Sequence, residues 1–418
     1  MNRILSGLVT LLVLAAPAGA QVDQARAAQW FQEVTLLCER EGGELWGISL
    51  CGPMVIADAS TRTIATNRPA PEAPRPAALG FANAAMSWGG ERWSTYVWRY
   101  MPADNAAIRN RLMLHELFHR IQPQLGLLLN DGQNEHLDTP EGRYWIQLEW
   151  RALARALATA GAARDSAVRD ALAFRAERYR VFPEAAENER RMEINEGLAQ
   201  YTGTLAAMAT AGEATTDAIE QLREAPIINE TLVRTFPYPS GAAYGILLDA
   251  WSPGWTRAFK ATDTLTARVA AASGLEPAAD LTAAAARYGG PELRVSEAAR
   301  EKARATRVAE LRRRFVEGPV LTVPNGKSSS FVTNGLTPIP GEGTVYPQFR
   351  TNGDWGSLEA DMVLMSTDRR SLRVPAPKST TGTVLSGDGW KLTLSKGWSV
   401  RAGGRAGDLR VTADSTAR

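Results

Sequence analysis

The apolar period of this chain changes character at Gly318, and that switch bounds the folds open to it. From Asp104 to about Ala211 apolar residues recur at helical intervals, with capping residues where helices would start, which predicts helices near 106–122, 140–160, 163–182 and 188–210. Further helical spacing follows at 241–250, 263–273 and 293–317. After Gly318 the helical period disappears, Gly, Ser, Thr and Val rise, and alternating runs such as TVYPQF, LEADMVLMS, WKLTLS and DLRVTAD take over. Upstream, residues 24–40 space Ala27, Trp30, Phe31, Val34 and Leu37 as one helix face. ELWGISL, PMVIAD, TIATN and RWSTYVWRYM read as short strands, and the proline-rich 67–77 as an extended linker. The expected class is α+β: a predominantly helical core at 81–318, a small sheet fed by a mixed segment at 21–80, and a C-terminal all-β domain at 319–418.

The first twenty residues combine a basic start at Arg3, an apolar run from Leu8 to Ala16 and the small-residue close Ala18-Gly19-Ala20, the layout of a cleaved signal peptide. The expected location is therefore secreted or periplasmic. No later run is long and apolar enough for a bilayer span. Forty-seven basic against 45 acidic residues leave a formal charge of +2, which gives no strong field, so a nucleic-acid partner, which would need a clustered basic surface, is not implied. The two cysteines, Cys38 and Cys51, are expected to pair in an oxidising compartment, contributing on the order of 3 kcal/mol.

Two of the three histidines sit in LMLHELFHRIQP, residues 112–123. On a helix, His115 and His119 lie one turn apart on one face and can present two imidazole nitrogens to one metal ion. Glu116 then stands beside the ion, placed to take a proton from water. Zinc suits such a site, since it brings the pKa of a bound water toward about 7. The alternative is an amphipathic helix whose histidines are satisfied in the core beside Leu112 and Leu114, at the expense of desolvating two imidazoles and a carboxylate with no cation.

A catalytic zinc needs a third protein ligand. His136 lies in a polar stretch, and the carboxylates to compare are Asp138, Glu149, Glu193 and Glu196. Asp138 stands at the mouth of a helix, where aspartate is an ordinary N-cap. Glu149 is a lone carboxylate among apolar neighbours, suited to a metal or to an arginine such as Arg151 or Arg175. Glu193, three residues before Glu196, shares its predicted helix face and suits an orienting role.

RMEINEGLAQYTG, residues 191–203, resembles the second signature of the gluzincin metallopeptidases, the group that includes the thermolysin-like peptidases and the aminopeptidase N family. The resemblance implies a zincin-like catalytic core with Glu196 as third ligand, flanked by Asn195, Gly197, Leu198 and Ala199. Glu196 follows His119 by 77 residues, far more than is usual in those families, which implies that the helices predicted at 140–160 and 163–182 form an inserted hairpin. FPYPSGAAYGILLD, residues 236–249, is similar to the aminopeptidase N segment whose tyrosine donates to the oxyanion. That places Tyr238 in the role, with Gly241 and Ala242 matching and Ser240 in place of a lysine; Tyr244 is the other candidate donor. AAMSW, residues 84–88, resembles the substrate-side strand of those aminopeptidases at Ala85 and Met86, but Ser87 replaces the glutamate that binds a free amino group. An edge strand there would still pair with a peptide backbone.

The expectation is an exported zinc metallopeptidase acting on peptide or protein substrates, with Zn2+ held by His115, His119 and Glu196, Glu116 as general base and Tyr238 as oxyanion donor. The competing expectation is a catalytically silent zinc-fold binding or scaffold protein.

Overall fold

The computed structural model describes residues 21–414, apart from 128, 130, 333 and 334, so the signal-peptide expectation falls outside the described residues. The chain forms two compact units: residues up to Gly126 together with Thr202–Ala209, and Leu127–Tyr201 together with Thr210 onward. Among the described residues no helix is long and apolar enough to cross a membrane.

The first unit opens with α1 (Gln24–Glu41), capped by the Asp23 side chain at the Arg26 amide and ended by left-handed Gly42. Its buried face is the expected one, with Cys38 rather than Leu37 at its last buried position. Cys38 is disulfide-bonded to Cys51. The intervening ELWGISL is not a strand. Gly42, Gly43 and Gly47 all take left-handed φ, which breaks a ladder, and Glu41 binds the Gly43 and Leu45 amides in a turn. Trp46 is nevertheless buried, its ring 5.0 Å from that of Phe118.

A four-stranded sheet follows, with strands β1 (Met54–Ala57), β2 (Ile64–Thr66), β3 (Ala84–Trp88) and β4 (Glu91–Val97) in the order β2-β1-β4-β3. β1 and β4 run parallel and the other pairs antiparallel. β1 is central and wholly buried, which explains its unbroken apolar run. The expected substrate-side strand is β3, at the sheet's edge. Asn105 caps α2 (Ala106–Ile121) through the Ile108 amide, and Pro123 lies just beyond its end.

In the second unit, α3 (Pro140–Leu157) and α4 (Gly161–Val181) form the expected helical hairpin, started by Thr139 with Pro140 at the first helical position. α3 is buried nearly all round, between α4, α7 (Ala211–Ile228), α8 (Pro237–Trp251) and α11 (Gly290–Arg312). The helix expected at 188–210 begins as α5 (Ala185–Met192), widens into a π turn at Glu193–Gly197 and continues as α6 (Leu198–Ala207). α7 is not apparent from the sequence because its buried positions are mostly alanines, Ala214, Ala218 and Ala225, and Pro226 lies inside it. α9 (Leu265–Ser273) and α10 (Leu281–Arg287) complete the helical part.

The C-terminal strands β5 (Val320–Pro324), β6 (Ser328–Ser330), β7 (Thr337–Ile339), β8 (Gly343–Gly353), β9 (Gly356–Ser366), β10 (Ser371–Pro375), β11 (Val384–Gly387), β12 (Trp390–Leu394), β13 (Trp398–Ala402) and β14 (Leu409–Ala413) form one sheet system. Its main path is β11-β12-β9-β10-β5-β14-β13, and β8 joins β6 and β7 to β9. The four alternating runs read from the sequence all fall in these strands, and the class is α+β as expected. Phe315, fully buried after α11, packs with Leu311, Ile339, Val345 and Leu364.

Candidate metal centre

The histidine helix is held to its sheet by a matched set of side chains. On β4, alternate residues Arg92, Ser94 and Tyr96 face α2 and donate to the carbonyls of His119, Glu116 and Met113, at 3.3, 2.9 and 2.9 Å. The acceptors recur every third residue along the helix, so two simple periodicities fix both its rotation and its height. Burial, followed by the nearby charge of Glu116, raises the Tyr96 phenol well above its ordinary pKa, so it stays a donor.

On that helix, Nε2 of His115 and Nε2 of His119 lie 3.0 Å apart. His115 is buried and His119 half-buried. Nδ1 of His119 is 2.8 Å from Oε1 of the fully buried Gln122. With Gln122 accepting, Nδ1 carries the proton and Nε2 keeps its lone pair for a cation. Ligand nitrogens about 2.0–2.1 Å from a tetrahedral zinc stand roughly 3.3 Å from one another, close to the spacing found. The separation of the pair therefore fits zinc, and the tautomer with Nδ1 protonated leaves Nε2 of His119 able to bind it.

Glu196 lies in the π turn, a form common at functional sites. Its neighbours are tightly held. Asn195 makes a two-way contact with the Leu129 backbone, accepting from its amide at 3.0 Å and donating to its carbonyl at 2.6 Å. Gly197 meets Gly241 of α8 so closely that a Cβ on Gly241 would lie 2.2 Å from the Gly197 Cα. Two turns beyond Glu196 on the same run, Gly203 abuts α2: a Cβ there would lie 2.6 Å from the Arg111 carbonyl oxygen and 3.1 Å from the His115 amide nitrogen. Among the described residues, His115, His119 and Glu196 are the one group of His, Cys, Asp or Glu side chains that could hold a metal ion.

The other ligand candidates are engaged elsewhere. Glu149 is fully buried and accepts from Arg175, Arg178 and Tyr244 at 2.7 to 2.8 Å, so its arginine reading holds. Glu193, also in the π turn, is gripped at both oxygens by Arg175. Asp138 is not the helix cap, a role taken by Thr139; it accepts from the Thr231 hydroxyl and the Leu232 amide. His136 bonds Glu189 at 2.8 Å.

Tyr238 is half-buried in the first turn of α8. Tyr244 is buried and spends its hydroxyl on Glu149, which removes it as an oxyanion donor. Ser240, where the aminopeptidase pattern has lysine, is buried and accepts from the Trp150 indole at 2.8 Å. Ser87 is exposed on the edge strand. Sequence reasoning missed Gln122, although its position three residues after His119 on a helix was a readable signal.

No protein-family model, curated protein or solved structure matches this chain.

Proposed function

We propose that the chain is an exported zinc-dependent peptidase of gluzincin type. The convergence of the two Nε2 atoms at 3.0 Å, with the Gln122 side-chain oxygen 2.8 Å from Nδ1 of His119, carries this reading. Glu196 supplies the third ligand atom. When bound, zinc supplies Lewis acidity toward a carbonyl oxygen and toward water. Glu116, buried beside His115 in sequence, takes a proton from the attacking water and delivers it to the leaving amine. Tyr238 donates its phenol hydrogen to the carbonyl oxygen as negative charge builds there.

Edge strand β3 offers backbone pairing to an extended peptide, and Ser87 lacks the charge that would select a free N-terminus. The Cys38–Cys51 disulfide supports an oxidising location. The test is zinc content of the purified protein, with cleavage of a mixed peptide library measured with and without chelator and in Glu116→Gln. Stoichiometric zinc without turnover, unchanged by Glu116→Gln, would favour the silent binding or scaffold role.

A further inference from the structure

Within the second unit, five fully buried charged side chains form one lattice: Glu149, Arg175, Arg178, Glu189 and Glu193. Arg175 reaches Glu149 through Nε at 2.8 Å and Glu193 through Nη1 and Nη2 at 2.8 and 2.6 Å. Arg178 bridges Glu149 at 2.7 Å and holds both oxygens of Glu189 at 2.7 Å. Tyr244 of α8 closes the lattice with a 2.7 Å bond to Glu149. Desolvating each such ion costs several kcal/mol, and apolar packing of equal volume is often as stable, so the lattice is poorly explained by stability alone. What ion pairs add over apolar packing is fixed direction, above all at a two-point arginine–carboxylate contact.

That direction falls on one element. Of the five π-turn residues, Glu193 is gripped by Arg175, Asn195 by the Leu129 backbone, and Gly197 is wedged against Gly241. Glu196 rides between these holds. The same lattice ties down α8, which carries Tyr238 six residues before Tyr244. We propose that Arg175, Glu149 and Tyr244 are positioning residues that aim the Glu196 carboxylate and align α8 with it, an inference that rests on the zinc reading above.

The test compares zinc affinity, by competition with a chromophoric chelator, in the wild-type chain, Arg175→Lys and Tyr244→Phe. Cobalt absorption spectra and thermal unfolding of the metal-free proteins accompany it. Tyr244→Phe removes one hydroxyl and keeps the ring, so it gives a reading even where Arg175→Lys does not fold. The expected result is zinc binding about tenfold weaker, with an altered cobalt spectrum. Lowered melting temperature with wild-type zinc affinity and spectrum would make the lattice purely structural and overturn the proposal. A wild-type chain that binds no zinc overturns the zinc reading and this inference together, whereas zinc-binding wild type with unaffected variants overturns this inference alone.

Discussion

Nδ1 of His119 lies 2.8 Å from the side-chain oxygen of Gln122, and this contact turns the other nitrogen of the ring toward His115. Removing the acceptor frees the ring to rotate and to change tautomer. Gln122→Met should weaken zinc binding by about tenfold, while Gln122→Glu, which keeps an acceptor, should recover most of it. Competition titrations on folded protein check this; equal affinity in all three chains would mean that Gln122 orients nothing.

Asp249 supplies a pH dependence outside the metal centre. Burial pushes its carboxyl up to about 6, against hydrogen bonds from Tyr201 and Trp255 that favour the charged form. In the unfolded chain it titrates near 3.8. Its contribution is thus fully present below about pH 4 and is lost as pH rises through about 6. The loss is at most about 3 kcal/mol, and less where solvent screens this half-buried group. Asp249→Asn should flatten that fall when urea unfolding is compared at pH 4.5 and pH 7.5; the same pH difference in both proteins would contradict the assignment.

The disulfide and the histidine helix share a fastening. Arg120, next to His119, donates through Nη2 to the carbonyls of Ser49, Leu50 and Cys51 at 3.1, 3.2 and 2.8 Å. Replacing both Cys38 and Cys51 by serine should cost about 3 kcal/mol of stability, read by denaturant unfolding. A loss below about 0.5 kcal/mol would show that the loop holds its place without the covalent link.

At Gly203, α6 lies close against the backbone of α2. The two nearest atoms that an added methyl would meet are main-chain atoms, which cannot swing away, and the third is the His115 Cβ at 3.3 Å. Gly203→Ala should therefore destabilise by about 1–3 kcal/mol, by strain of the kind overpacking produces. A neutral or stabilising effect in thermal unfolding would show that the helices separate freely.

The parts of this molecule that follow from short-range rules were legible in the sequence. Asn105 and Thr139 announce the starts of α2 and α3, alternation marks β8, β9, β12 and β14, and four-residue spacing puts His115 and His119 on one face. What could not be read depends on distant partners. Glu149 looks the same whether its partner is a metal or an arginine 26 residues away, and the structure supplies the arginine. ELWGISL carries strand-forming residues, yet the left-handed glycines around it set its path. The π turn has no sequence period of its own, so the widening of the helix at Glu193–Gly197 was hidden. Glu196 itself was reached by resemblance rather than by spacing.

The central claim is tested most directly by returning zinc to metal-stripped protein while following cleavage of a quenched peptide library. The proposed account predicts that activity rises to a plateau at one zinc per chain, and that Glu116→Gln takes up the same zinc with turnover reduced by about 10²–10⁴-fold. Full uptake of zinc with no cleavage, or cleavage that is indifferent to both zinc and Glu116, would contradict it.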